Sequence, residues 1–215
     1  VPERYGWSPE QGEVPLATLF AMARGTPGDG TPALEMTKWF DTNYHYIVPE
    51  LRPDQEFRLA SRKVIQEFRE ARDLGLAARP VLLGPVSFLL LAKMRPAEPG
   101  AVPAAGSGEG AARDAGARGA GSSLGAGSSR GAGPAGDRAA RLALLDRLLP
   151  VYAQVLAELR AAGAEWVQLD EPYLVLDLDE PEREAFRRAY QVLAGAAPGL
   201  KLFLATYFEG LRDNV

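Results

Sequence analysis

Lys38, Asp41 and His45 stand close together in the chain, interleaved with Trp39, Phe40, Tyr44 and Tyr46. Lysine can neutralise an anionic ligand, a carboxylate and an imidazole can exchange protons, and aromatic rings can stack on a flat ligand. His45 is the only histidine of the 215-residue chain. Aromatic and polar groups that converge after a strand are the usual make-up of a ligand site. The residues alone leave two readings open for Glu35 to Glu50. One is a binding loop. The other is a packed loop, with the aromatics filling the space beneath it and His45 a hydrogen-bonded core histidine.

A second constellation is Asp170-Glu171, which follows the apolar run Trp166 to Leu169. Carboxylates at the carboxyl end of a parallel strand stand where barrel enzymes keep their chemistry. Paired, they could serve as general acid and base, given a substrate proton within reach. The structural reading, in which one carboxylate caps a backbone turn or pairs with an arginine, is the favoured one. Gly84-Pro85 fits neither GxGxxG nor GxxxxGK[ST] and so is no phosphate loop. Ser87 is not in a GxSxG elbow and takes no nucleophilic role. A protein zinc site needs three or four Cys, His or carboxylate ligands. With no cysteine and one histidine, this chain is expected to hold no catalytic metal.

These residues need elements to position them. Residues 34–37 read as a strand running into the aromatic loop. Pro15 to Arg24 reads as a short helix, and Gly25 to Gly30 as a turn cluster. Pro53-Asp54 is expected to open a helix with Asp54 as N-cap. Phe57, Ala60, Val64, Phe68, Ala71 and Leu74 would form its buried face, and Gly75 would close it. Residues 80–83 read as a strand, Gly84-Pro85 as a tight turn and 86–94 as a helix. A further helix is expected over about 137–162, with Leu142, Leu145, Leu149, Tyr152, Leu156 and Leu159 as its stripe. Pro150 should kink or divide it. Residues 166–169 form a strand, Pro181 opens a helix with Ala185, Phe186, Ala189, Tyr190 and Leu193 inward, and 200–206 form a last strand. Strands alternating with helices argue for an α/β chain with a parallel sheet and helices packed outside it.

Composition bounds the rest. The chain is 47% hydrophobic and 24% charged, which suits one domain with an ordinary core. A net charge of −4 is too mild to suggest nucleic acid or an anionic membrane as partner. Without cysteine there is no disulfide or thiolate chemistry. The apolar run 85–92 is too short to span a bilayer, and a cytoplasmic location is expected. Val1 is not an initiator methionine, and both ends are expected to be cut from something longer. Residues 96–136 are mostly Gly, Ala, Ser and Pro, with Val102 and Leu124 as the only large apolar residues. Such a stretch cannot bury enough surface to offset its ordering entropy and reads as a flexible low-complexity insertion. Arg113, Arg118 and Arg130 are too sparse, and too far from aromatics, to make it a nucleic-acid tether.

Residues 35–46 (EMTKWFDTNYHY) closely resemble a segment of the amino-terminal half of cobalamin-independent methionine synthase. Residues 82–93 (LLGPVSFLLLAK), 166–172 (WVQLDEP) and 202–214 (LFLATYFEGLRDN) continue the resemblance in the family's order. The resemblance implies an incomplete (β/α)8 TIM-type barrel of about four strand-helix units, with 1–215 as part of the amino-terminal barrel domain. It implies a methyltransferase that passes a methyl group from 5-methyltetrahydropteroyltri-L-glutamate to L-homocysteine to make L-methionine. It places Lys38 against the folate substrate. Zinc and homocysteine would be held by a carboxyl-terminal domain that this chain lacks, so the fragment alone is expected to be inactive. The family's basic segment near the true amino terminus is also missing, and the 96–136 stretch is longer than the family's connection. Two other classes remain: a folate-binding module without chemistry, and another enzyme of the same barrel superfamily, such as a uroporphyrinogen decarboxylase or a corrinoid methyltransferase. The latter two would not be expected to carry residues 35–46 as they stand.

Overall fold

The computed structural model describes residues 2–95 and 135–214. The architecture is mixed α/β. Three strands, β4 (Val81–Leu83), β6 (Trp166–Asp170) and β7 (Lys201–Ala205), form one parallel sheet in that order. Two short strands, β3 (Glu50–Leu51) and β5 (Lys93–Met94), pair in parallel beside it, and β1 (Met36–Lys38) and β2 (His45–Ile47) form an antiparallel hairpin. The helices are α1 (Leu16–Arg24), α2 (Lys63–Asp73), α3 (Pro85–Leu91), α4 (Ala135–Leu142), α5 (Leu145–Ala161) and α6 (Glu180–Ala196).

The period of two along β6 divides the sheet. Val167 and Leu169 are fully buried and join the core with Leu156 and Leu159 of α5 and Ala189 and Leu193 of α6. The alternate positions, Trp166 on β6, Val81 on β4 and Phe203 on β7, are about half exposed. One face therefore carries the helices and most of the buried area. Each fully buried Leu or Val contributes about 1.5–3 kcal/mol relative to exposure.

Helix α3 shows how the core is fastened. Six of its seven residues are buried, which leaves little water to satisfy its terminal N–H and C=O groups. Side chains from elsewhere supply the partners. At its amino end Pro85 has no N–H to satisfy, and the Glu171 carboxylate accepts from Val86 N at 3.3 Å and Ser87 N at 2.8 Å. The next donor, Phe88 N, reaches Gly84 O at 2.9 Å. At its carboxyl end Arg141 Nη1 donates to Leu90 O at 2.5 Å and to Ala92 O at 2.7 Å, and Tyr46 Oη donates to Leu91 O at 3.1 Å.

Helix α6 is started by a capping box: Asp179 Oδ1 accepts from Glu182 N, and Asp179 N donates to Glu182 Oε2, both at 2.9 Å. Glu182 is buried, and Arg138 Nη1 at 3.2 Å supplies its counter-charge.

Several boundaries differ from the expectations. Residues 53–62 are irregular, and α2 starts at Lys63, so Asp54 caps nothing. Long-range contacts hold this stretch open: Arg147 Nη1 donates to the carbonyls of Pro53 and Gln55, and Phe57 packs edge-on against Phe88. Ile65 and Phe68 form the buried face of α2, while Leu74 is exposed. Helix α3 stops at Leu91, because Lys93-Met94 is drawn into pairing with β3. The break in the long helical stretch falls at Ala143-Leu144, and Pro150 lies inside α5. There the missing hydrogen bond would go to the carbonyl of Asp146, an exposed residue that water can reach. The 96–136 reading lies outside the described residues except at its end, where Ala135 and Gly136 open α4. Strand β1 is shifted from residues 34–37 and ends on Lys38 itself.

Candidate functional site

The carboxyl ends of β4, β6 and β7 converge with the β1–β2 hairpin. The hairpin turn is set locally. Trp39 N donates to Tyr44 O at 2.7 Å, Thr42 Oγ1 donates to Trp39 O at 2.5 Å, and Tyr44 N donates to Thr42 Oγ1 at 3.1 Å. Phe40 adopts φ +49°, which is uncommon for a residue with a side chain. The strain is offset by burial, since the ring is only 6% exposed. Its edge meets Tyr173, which follows β6, at 6.2 Å, and it lies 5.8 Å from Phe208, which follows β7. Phe208 is itself at φ +84°. Trp39 packs edge-on against Phe40 and Tyr46. Strained residues gather where the surrounding structure over-determines them, often at functional sites.

Both readings of residues 35–50 hold in part. Trp39, Phe40 and Tyr46 are packed, as in a structural loop. Lys38, Tyr44 and His45 are exposed, with Lys38 directly opposite His45 in the hairpin register. His45 is therefore no core histidine; its Nδ1 lies 3.1 Å from Asn43 O. Lys38 makes no side-chain ion pair among the described residues. Its neighbour in the same region, Lys93, is held by Glu35 at 2.5 Å.

The Asp170-Glu171 pair is split between two environments. Asp170 is half-buried and accepts from Gln168 Nε2 at 2.7 Å. Glu171 is fully buried. Three donors converge on it: Val86 N, Ser87 N, and Tyr190 Oη at 2.9 Å. Burial pushes its carboxyl up to about 7, against the pull of these hydrogen bonds. Tyr190 and Tyr152 are pushed well above the ordinary tyrosine range, first by burial and then by the Glu171 charge. A carboxylate with no exposure cannot reach a substrate proton, so capping is its role, as favoured from the sequence. Ser87 serves the same network: its Oγ accepts from Tyr173 N at 3.1 Å. Sequence reasoning missed Tyr173, Tyr190 and Phe208 as parts of this assembly. Phe208 lies in the LFLATYFEGLRDN string and Tyr173 directly follows WVQLDEP, but only the fold brings these two to Phe40.

The donors here do not fit zinc. Among the described residues no three His, Cys, Asp or Glu side chains gather as a metal site, and the one imidazole is exposed on the hairpin. Among the same residues, no helix is long and apolar enough to cross a membrane.

The profile described as "Cobalamin-independent synthase, N-terminal domain" matches residues 1–103 and 129–215. A protein of Chelativorans sp. (strain BNC1) named 5-methyltetrahydropteroyltriglutamate–homocysteine methyltransferase is 50% identical across the whole chain. Proteins of the same name from Caulobacter vibrioides and Xylella fastidiosa (strain 9a5c) are 46% and 49% identical, over 100% and 94% of the chain. The chain spans 24%, 24% and 21% of the length of these three relatives. With the profile covering most of its residues and half of all positions identical to a relative, the chain belongs to the cobalamin-independent synthase family, within the amino-terminal domain.

Proposed function

We propose that this chain is part of the amino-terminal barrel domain of a methyltransferase that passes a methyl group from 5-methyltetrahydropteroyltri-L-glutamate to L-homocysteine to make L-methionine. The relatives' shared name supplies the reaction. The chain's own part is to bind the folate substrate through Lys38. One observation carries this: Lys38 is an exposed cation, free of any carboxylate among the described residues, on a hairpin that Phe40 fastens to the residues following β6 and β7. The triglutamate tail is polyanionic, and an exposed ammonium beside the loop end of a parallel sheet suits it. The order β4-β6-β7, with helices on one face and Val81, Trp166 and Phe203 on the other, suits an incomplete (β/α)8 barrel.

Zinc and homocysteine belong, on this reading, to the part of the relatives that this chain does not cover. Zinc would supply activation of the homocysteine thiol there, and no residue of this chain takes part in that step. An insertion within 96–136 is supported by the break in the family match at residues 104–128. The location is read as cytoplasmic, with no nucleic-acid or membrane partner. The family match leaves the uroporphyrinogen decarboxylase-like alternative without support. The test is folate affinity of the complete protein with and without Lys38→Ala. Equal affinity at low salt overturns the assignment of Lys38.

A further inference from the structure

We propose that Glu171 is a positioning residue for the hairpin that carries Lys38, acting through Ser87, Tyr173 and Phe40. The connection is continuous. The Glu171 carboxylate takes a hydrogen bond from the backbone N–H of Ser87 at 2.8 Å. Ser87 Oγ in turn receives the Tyr173 N–H at 3.1 Å, and Leu174 N donates to Glu171 O at 3.1 Å. These two contacts fix the turn after β6. The Tyr173 ring meets Phe40, whose positive φ the hairpin holds against that ring. Phe40 is two residues from Lys38.

The chemistry of the site favours an acceptor-only group. Three donors point at the two carboxylate oxygens, Val86 N and Tyr190 Oη at Oε1 and Ser87 N at Oε2, so an amide at residue 171 would set its own N–H against at least one of them. Protonation of Glu171 has the same local effect, because the new O–H must displace or turn one donor. A shift at Ser87 N moves the residue whose Oγ holds Tyr173 N. Burial brings this proton exchange into the neutral range, where the carboxyl is pushed up to about 7. The ionisable groups that interact with Glu171 are Tyr152 from α5, Tyr190 from α6 and Tyr207 after β7. Helix α3 contributes none, its sequence being PVSFLLL. The consequence for folate rests on the reading of Lys38 above; the positioning of the hairpin does not.

The experiment follows Trp39, which packs edge-on against Phe40 at 5.3 Å. The complete protein is labelled with 5-fluorotryptophan in a His45→Asn background, so that the hairpin imidazole contributes nothing. Trp39 is assigned by Trp39→Phe. Its fluorine resonance is expected to titrate with a midpoint near pH 7, to become flat in Glu171→Gln, and to titrate again in Glu171→Asp. A profile that is the same in the parent and in Glu171→Gln overturns the proposal, and so does a flat profile in both. Should Glu171→Gln fail to fold, Tyr190→Phe removes one donor to the charged form and is expected to raise the midpoint by about half a unit to one unit. An unmoved midpoint there also overturns the proposal. The affinity for 5-methyltetrahydropteroyltriglutamate is measured on the same samples against Lys38→Ala. If Lys38→Ala binds folate normally, the folate reading fails while the Trp39 titration still decides the positioning role.

Discussion

The Glu171 carboxyl group occupies the space that a side chain at residue 84 would need: a Cβ on Gly84 would fall on Cδ and Oε1 of Glu171. Gly84 is thus required for room, since its backbone is in an ordinary extended conformation with φ −71°. Its N–H donates to Asp170 O at 2.7 Å, which closes the β4–α3 turn onto β6. The same bare backbone lets the carboxylate reach Val86 N and Ser87 N.

The first prediction follows directly. Gly84→Ala must expel the carboxylate or shift the turn. Overpacking a core costs about 1–3 kcal/mol, and orphaning a buried donor costs about as much again. A loss of about 3 kcal/mol or more is expected in denaturant unfolding of the domain that holds residue 84. A loss below about 1 kcal/mol would show that the carboxylate does not depend on this space.

The second concerns acid and base. Burial raises the Glu171 carboxyl from its ordinary value to about 7, so the folded state holds this proton more tightly than the unfolded chain does. Between the two values the folded state binds more protons, and stability must fall as pH rises. The contribution is fully present below about pH 4.5 and is lost as pH climbs through about 7. Its size is on the order of a few kcal/mol. Glu171→Gln is expected to remove this slope from plots of unfolding free energy against pH. An unchanged slope between pH 5 and 7.5 in the variant would assign it to other groups.

Much of this assembly was legible in the sequence, because its signals are local. The apolar runs at 80–83, 166–169 and 200–206 each became a strand within about a residue of the expected ends. The inward positions of α6 came out as read, since a 3.6-residue period with Pro181 at the start is a strong signal. The capping box of Asp179 and Glu182, not read from the sequence, starts that helix. What failed was decided at long range. Nothing near Asp54 says that Arg147 will hold the carbonyls of Pro53 and Gln55 and keep 53–62 out of a helix. Residues 35–50 were singled out by composition, yet the meeting of Phe40 with Tyr173 and Phe208 depends on residues more than 130 positions away.

A third prediction concerns Arg141. Only 2% exposed, it closes the carboxyl end of α3 through Leu90 O and Ala92 O. Its Nε also donates to Asp137 O at 3.2 Å. Arg141→Met keeps most of the volume but leaves two carbonyls without this donor. Removing a charged donor from buried acceptors is expected to cost about 2–4 kcal/mol. Arg141→Lys should recover part, because one ammonium cannot reproduce the planar fork. Chemical denaturation of all three proteins checks the order: wild type, then Lys, then Met. A Met variant as stable as the parent would contradict the capping role.

The last prediction concerns Lys38. An exposed lysine on a hairpin edge is ordinarily a solvated charge, and for an arbitrary lysine that is the better account. Three things stand against it here. The residue ends β1 and so is held by strand pairing with His45. The next two residues, Trp39 and Phe40, are anchored in an aromatic cluster, which fixes the direction in which the chain leaves the strand. Finally, Lys38 has no carboxylate partner among the described residues, whereas Lys93 is held by Glu35. At an effective dielectric of about 20, a charge pair at roughly 4 Å is worth on the order of 4 kcal/mol before desolvation. Exposure cuts that to about 1 kcal/mol or less. Lys38→Ala in the complete enzyme is therefore expected to weaken folate binding several-fold, up to about tenfold, since about 1.4 kcal/mol is a factor of ten. Homocysteine and zinc binding should stay as they are, because neither depends on this hairpin in the proposed division of labour. The loss should shrink as salt rises, by screening. Lys93→Ala makes the useful control: its ammonium is already committed to Glu35, so the effect on folate should be smaller. Folate Kd for the three proteins at two salt concentrations decides the matter. An affinity for Lys38→Ala equal to wild type at low salt would return this residue to the solvated surface.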